Sequence, residues 1–196
     1  MLIQKNVPML TILLSGIRAW GLVIAAFTIA YGTLKAATIG LNLEYQTNYG
    51  LGLMLFLPHG IRVFATYFMG FRALPPLLIG QLICLQLFPH PGSSLAMCLA
   101  GACCAPLAFE MFKQAGINLY YSKGTQSLNW QVLLLVGIIA SLINDIGSRL
   151  ILSVEAPAAL FSPSYFLFVM FGDITGLIVC IVIFQVAVHQ LQAKTH

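Results

Sequence analysis

The sequence predicts an all-α polytopic membrane protein, and three observations carry that prediction. Of the 196 residues, 60% are hydrophobic and only 7% are charged. A soluble domain is roughly a quarter charged, so there is too little polar surface here to cover a globule in water. The apolar residues fall into six blocks, each suited to a hydrocarbon core about 30 Å thick, which takes roughly 17 to 25 residues per helix. No alternating barrel-strand pattern competes, and backbone groups in lipid must pair within helices or closed barrels.

The expected spans lie near residues 19–41, 49–70, 73–88, 94–112, 130–153 and 163–189, within one membrane domain covering 1–196. Ahead of them, residues 1–17 are apolar with Lys5 and Pro8, which suits an interfacial segment. They carry no clean small-residue cleavage site, so the N-terminus is expected to be retained. The second span is expected to be broken at Pro58-His59-Gly60: proline removes an amide donor, and glycine lets the backbone bend. The third block is short and opens on Pro75-Pro76, so it is either tilted or joined to the second by a tight turn at Phe71-Arg72.

Charge and cysteine usage exclude several classes. The net charge of +4 is spread thinly, with no basic run among aromatics, so it argues topology and not nucleic-acid binding. All five cysteines lie in apolar blocks without CxxC or Cys/His spacing. They read as free, small hydrophobes, and neither a metal nor a cofactor is expected. With the N-terminus inside, the inner flanks hold Lys5, Arg18, Arg72, Lys113, Lys123 and Lys194, and the outer flanks hold Lys35 and Arg149. That imbalance favours both termini in the cytoplasm of a bacterial inner membrane. The loop 113–129, with two lysines and no acid, is then cytoplasmic and suited to anionic lipid, a partner, or simply the positive-inside rule.

Ionisable groups within spans each cost about 2.5 kcal/mol or more on insertion scales, so they usually face the bundle interior. Here they are His59 and Arg62 in the second span, Asp145 and Arg149 in the fifth, and Asp173 in the sixth. Glu110 is one turn from Lys113, while Glu44 and Glu155 fall in outer loops. At about 1.5 Å per residue, Pro58, Asp173 and Asp145 lie roughly 14, 15 and 12 Å from the outer face. Arg62 lies about 20 Å in, but its side chain tilts back toward the helix N-terminus. The five groups are therefore expected in one layer, with Arg62 facing Asp173, and with His59 and Asp145 in the same cavity. Arg149 is expected to fold onto Asp145 at i,i+4.

Each of these residues has a plainer role open to it. Arg62 offers a five-donor fork for an anion, or neutralises Asp173 or Asp145 internally. His59 suits a hydrogen-bonding filler. Gly172 and Gly176, flanking Asp173, have GxxxG spacing for close helix packing. Asn144 and Ser141 suit interhelical hydrogen bonds. The aromatic stripes, Phe64-Tyr67-Phe68-Phe71 and Phe166-Phe168-Phe171, suit lipid contact or packing.

Pro58-His59-Gly60-Ile61, then Gly70-Phe71-Arg72-Ala73-Leu74-Pro75 and Gly80, resemble the early signature of bacterial membrane-associated sensor domains of the MASE type. Phe171-Gly172-Asp173-Ile174-Thr175-Gly176 resembles that family's final-helix Gly-Asp-x-x-Gly motif, with one extra residue before the second glycine. Such domains commonly have about eight spans fused to a cytoplasmic output domain, whereas this sequence has room for six and ends at His196. The resemblance implies a periplasm-accessible small-molecule site. The six-span form is also similar to the substrate-capture subunits of energy-coupling-factor transporters.

Three functions follow as expectations. The first is a non-enzymatic sensory or ligand-binding module without its own output domain, signalling through a kinase or cyclase. The second is a transporter or capture subunit with its transport module. The third is a structural subunit of a membrane complex. Lipids, a protein partner and a small anionic ligand are the expected partners, with no nucleic acid. No GxSxG elbow, HExxH or separate carboxylate pair supports catalysis.

Overall fold

The structure, a computed structural model, describes residues 16–40, 55–89, 94–121, 129–155 and 163–193. These form six α-helices, with no strand among the described residues: α1 (Ile17–Gly40), α2 (Leu57–Met69), α3 (Leu74–Leu87), α4 (Leu95–Gln114), α5 (Trp130–Glu155) and α6 (Pro163–Ala193). A 3-10 turn, Gly70–Ala73, joins α2 to α3. Residues 1–15, Glu44, Tyr49, His90, Lys123 and Lys194 lie outside the described part.

The helix ends follow from local chemistry. Ser94 caps α4, its Oγ accepting from Met97 N at 3.4 Å, and Asn129 Oδ1 accepts from Gln131 N and Val132 N at the start of α5. Both satisfy amides that lack an intrahelical partner. Gly70 ends α2 at φ +63°, a left-handed conformation that favours glycine. Pro58 sits in the first turn of α2, where a missing amide proton costs nothing. The interruption expected at Pro58-His59-Gly60 is thus a helix start, preceded by the non-helical Leu55 and Phe56.

Five helices are long and apolar enough to cross a membrane, with Leu57–Leu87 taken as one. Alone, α2 with 13 residues and α3 with 14 rise only about 20 and 21 Å. The pair does not run straight. Arg62 and Gln81 are 19 residues apart yet share a hydrogen bond of 3.2 Å, where one continuous helix would separate them by about 28 Å. The segment therefore bends back at Gly70–Ala73 into a V, with α4 packed against both arms.

Helix α2 is the hub, touching α1, α4, α5 and α6. It lies between two apolar clusters. Val63, Tyr67, Phe109, Leu133, Leu177 and Ile181 belong to one; Val23, Phe27, Ala65, Leu77 and Ala102 belong to the other. Small residues on α4 around Pro106 (Ala102, Cys104, Ala105 and Ala108) are fully buried. The outward faces carry exposed Leu22, Ile29, Leu107, Leu135, Leu167 and Ile183, as a lipid-facing surface should.

Near the corner of the V, Tyr121 N donates to Tyr67 O at 2.9 Å. Tyr120 stacks on Phe109 with ring centroids 5.1 Å apart, and its hydroxyl donates to Glu110 Oε1 at 2.7 Å. Phe64, Tyr67 and Phe68 pack there with Tyr121 and Phe184, while Phe71 and Phe171 are exposed. The first aromatic stripe is thus mostly packing.

Candidate functional site: a divided polar core

The ionisable groups of the spans sort into three bonded sets around α2. Gly60 and Gly176 set the first by letting α2 and α6 meet closely. Phe56 N donates to Gly172 O at 2.9 Å. A Cβ on Gly176 would overlap the Phe56 carbonyl and lie 2.8 Å from Leu57 N, and one on Gly60 would lie 2.5 Å from Cys180 Sγ. Gly60 is helical, inside α2 and without a positive φ. The bend expected of it is therefore not its role; its missing side chain is what the contact requires.

This close approach carries His59 onto Asp173 and α5. Its Nε2 lies 3.0 Å from Gly137 O, and its Nδ1 lies 3.5 Å from Asp173 Oδ2. Ser141 Oγ donates to the same carboxylate oxygen at 2.6 Å. Ser141 thus makes the interhelical bond expected of it. His59, Ser141 and Asp173 are essentially inaccessible to solvent. The three residue types are those of a hydrolytic triad, but the order is wrong for one: the serine donates to the carboxylate, and the imidazole turns its far nitrogen to a backbone carbonyl. No activated nucleophile results.

The second set continues the i,i+4 stripe Gly137, Ser141, Asp145, Arg149 on α5. Arg149 Nε donates to Asp145 Oδ2 at 2.7 Å, the pairing expected from the spacing, and the guanidinium lies over the Phe166 ring at 5.3 Å. Asn144 is half-buried beside this stripe, and no bond described here reaches it.

The third set is Arg62, and it departs from expectation. The guanidinium does not pair with Asp173. It turns to the other side of α2, where Nη2 donates to Gln81 Oε1 at 3.2 Å. The Phe27 and Phe56 rings lie 5.5 and 5.4 Å from its central carbon. Gly101 makes the room, since a Cβ there would overlap Gln81 Oε1 and lie 2.9 Å from Arg62 Nη2. Residues three apart on a helix differ by about 60° around it, which turns Arg62 off the stripe that carries His59 onto α6. Its long side chain then reaches Gln81 on α3, Phe27 on α1 and the gap at Gly101 on α4.

Arg62 is 5% exposed, and its Nε and Nη1, like Gln81 Nε2, have no hydrogen-bond partner. The Cys104 thiol lies against it, but sulfur is a weak acceptor. The acids with described side chains have other partners: Asp145 holds Arg149, Asp173 holds Ser141 and His59, and Glu110 holds Lys113 and Tyr120. Two aromatic faces offset part of the cost of the buried cation, and no described carboxylate neutralises it.

Sequence reasoning missed Gln81, Gly101, Gly137, Phe27 and Phe56. A neutral amide within an apolar run was a readable signal for Gln81, whereas the glycines and rings carry none. Among the described residues, no group of three or more His, Cys, Asp or Glu side chains is placed to hold a metal ion. Comparison with known protein families, curated proteins and solved structures finds no match to this chain.

Proposed function

We propose that this membrane protein is a ligand-binding module for a small anion, held at Arg62, whose arrival is passed to a protein partner. The observation that carries the reading is the buried Arg62, with unpartnered donors and no described counter-ion. An isolated charge in a low-dielectric interior costs several kcal/mol, and a carboxylate or phosphate oxygen would relieve it by charge-assisted, bidentate hydrogen bonding. Gln81 Nε2 adds a further donor for the same ligand. Phe56 covers the guanidinium from the non-helical lead-in to α2, so its ring can turn aside without breaking a helix. Because Phe56 and Leu57 also rest on Gly172 and Gly176, its displacement reaches α6, a route toward a sensory output like that of MASE-type domains.

The protein in lipid nanodiscs should unfold later in acetate, succinate or phosphate than in an inert salt of equal ionic strength. A ligand at a hundred times its Kd stabilises by about 2.7 kcal/mol. Arg62→Gln should abolish the shift; a shift that persists in Arg62→Gln, or no shift with any anion, refutes the reading. Partners recovered from gently solubilised membranes separate sensing (a kinase or cyclase) from transport (an ATPase module) and from a structural role. For orientation, we place both termini in the cytoplasm of a bacterial inner membrane. Cysteines at Ser162 and Thr195 should then label from opposite sides.

A further inference from the structure

A carbonyl oxygen can only accept a hydrogen bond, so the approach of His59 Nε2 to Gly137 O at 3.0 Å places a proton on Nε2. In a neutral imidazole, Nδ1 then carries a lone pair. That nitrogen faces Asp173 Oδ2 at 3.5 Å and has no hydrogen-bond partner of its own. A lone pair against an ionised carboxylate, both sealed from water, would be two acceptors facing each other where neither is solvated. The Ser141 hydroxyl does not resolve this, because its proton is already directed at Oδ2. One more proton does resolve it, on Nδ1 or on the carboxyl group. In either position the His59–Asp173–Ser141 set is electrically neutral.

We propose that His59, Asp173 and Ser141 form an intramembrane proton-binding site whose single exchangeable proton is held or released according to whether the charge of Arg62 is neutralised. The dependence on an arriving anion rests on the reading of Arg62 given above. The described titratable and charged groups around the site and around Arg62 are few. From α2 itself comes Arg62, and from α5 come Asp145 and Arg149, which cancel each other. Helix α6 adds the Cys180 thiol beside Gly60, α4 adds the Cys104 thiol, and α1 adds Tyr31 near Arg62. With the proton in place, the layer carries the one uncancelled charge of Arg62.

Losing the proton leaves a negative charge on the site that offsets Arg62 across α2. An anion on Arg62 makes that offset unnecessary, and the proton returns from water. Anion and proton therefore favour each other's binding, reciprocally, and the module takes up the pair without net charge. No redox or covalent step is involved.

The chain has two aspartates, Asp145 and Asp173, so carbon-13 labelling of aspartate reads the site in the wild-type protein by infrared spectroscopy. Nitrogen-15 signals of His59 report the other proton position. Asp173→Asn, which keeps a neutral group of the same shape against Ser141, assigns the bands, and His59→Gln assigns the ring signals. In nanodiscs titrated from about pH 5 to 10, where histidine, cysteine and tyrosine also titrate, one proton should leave the site. In Arg62→Gln, or with saturating acetate, it should leave about one pH unit higher or more, a tenfold gain in proton affinity. The sign follows from charge: removing or neutralising a nearby cation makes the deprotonated, negative form less favourable. A titration that is absent, that survives Asp173→Asn, or that stays at the same pH in Arg62→Gln overturns the proposal. If Arg62→Gln moves it but neither acetate nor phosphate does, the proton site stands and the anion reading of Arg62 falls.

Discussion

The two sides of α2 solve the problem of burying polar groups in opposite ways. Toward α6, backbone meets backbone across Gly60, Gly172 and Gly176, and His59 reaches a carbonyl and a carboxylate that a serine also holds. Toward α1, α3 and α4, Arg62 is as deeply buried but finds one amide oxygen, two aromatic faces and a sulfur. The α6 side has the character of a structural joint, with short contacts and no room for a side chain. The Arg62 side holds a charge whose environment is incomplete. A buried charge that the fold does not satisfy is retained at a cost to stability, and such a cost is characteristic of binding sites.

That contrast can be broken first at the joint. Gly176→Ala should have the largest effect, because its Cβ would meet the Phe56 carbonyl and Leu57 N, backbone atoms that cannot swing aside. Overpacking costs about 1–3 kcal/mol and occasionally more, and a clash with fixed backbone belongs at the upper end, read as loss of monodisperse folded protein. Gly60→Ala meets the Cys180 sulfur at 2.5 Å, but also the Cys180 Cβ at 2.8 Å and the Gly176 carbonyl at 3.1 Å. Cys180→Ala, which removes only the sulfur, should therefore recover only part of its loss in a double-mutant comparison.

Next comes the buried carboxylate. Asp173→Ala leaves the Ser141 hydroxyl and His59 Nδ1 facing nothing and should cost about 1–3 kcal/mol in unfolding free energy. Asp173→Asn, which still accepts from Ser141, should cost clearly less. A smaller effect is expected at Gly101→Ala. Its Cβ meets only the movable ends of Gln81 and Arg62, so the fold should hold to within about 1 kcal/mol, while anion-dependent stabilisation weakens as the Arg62–Gln81 bond is displaced.

How far these residues could be read in advance depended on what kind of information places them. Helix positions were legible because lipid imposes length and apolarity: the expected 130–153 and 163–189 compare with Trp130–Glu155 and Pro163–Ala193. The Arg149–Asp145 pair was legible because i,i+4 is a local geometry. Depth along each helix could be counted in advance, but rotation about α2 could not. Depth follows from counting residues, whereas the side on which Arg62 falls depends on which face α6 occupies, and the glycines at 60 and 176 decide that through long-range packing. The same limit hid Gly101, whose importance lies in an atom it lacks. The bend at Gly70–Ala73 was half legible, as a tight turn between two blocks. That α2 is shorter than the expected 49–70 follows from the non-helical lead-in at Leu55 and Phe56.

The measurement that bears most directly on the contrast is the unfolding free energy of Arg62→Met in mixed micelles, in an inert salt, without added carboxylate or phosphate and at a pH low enough that the His59–Asp173 site holds its proton. Methionine fills the same slot between Phe27 and Phe56 with no charge. If Arg62 has no internal counter-ion, the variant should be within about 1 kcal/mol of wild type or more stable, since replacing a buried ion by an apolar side chain is often neutral or stabilising. A loss of about 3–5 kcal/mol, the size expected when one member of a buried ion pair is removed, would show that the protein itself neutralises Arg62 and would contradict the incomplete site.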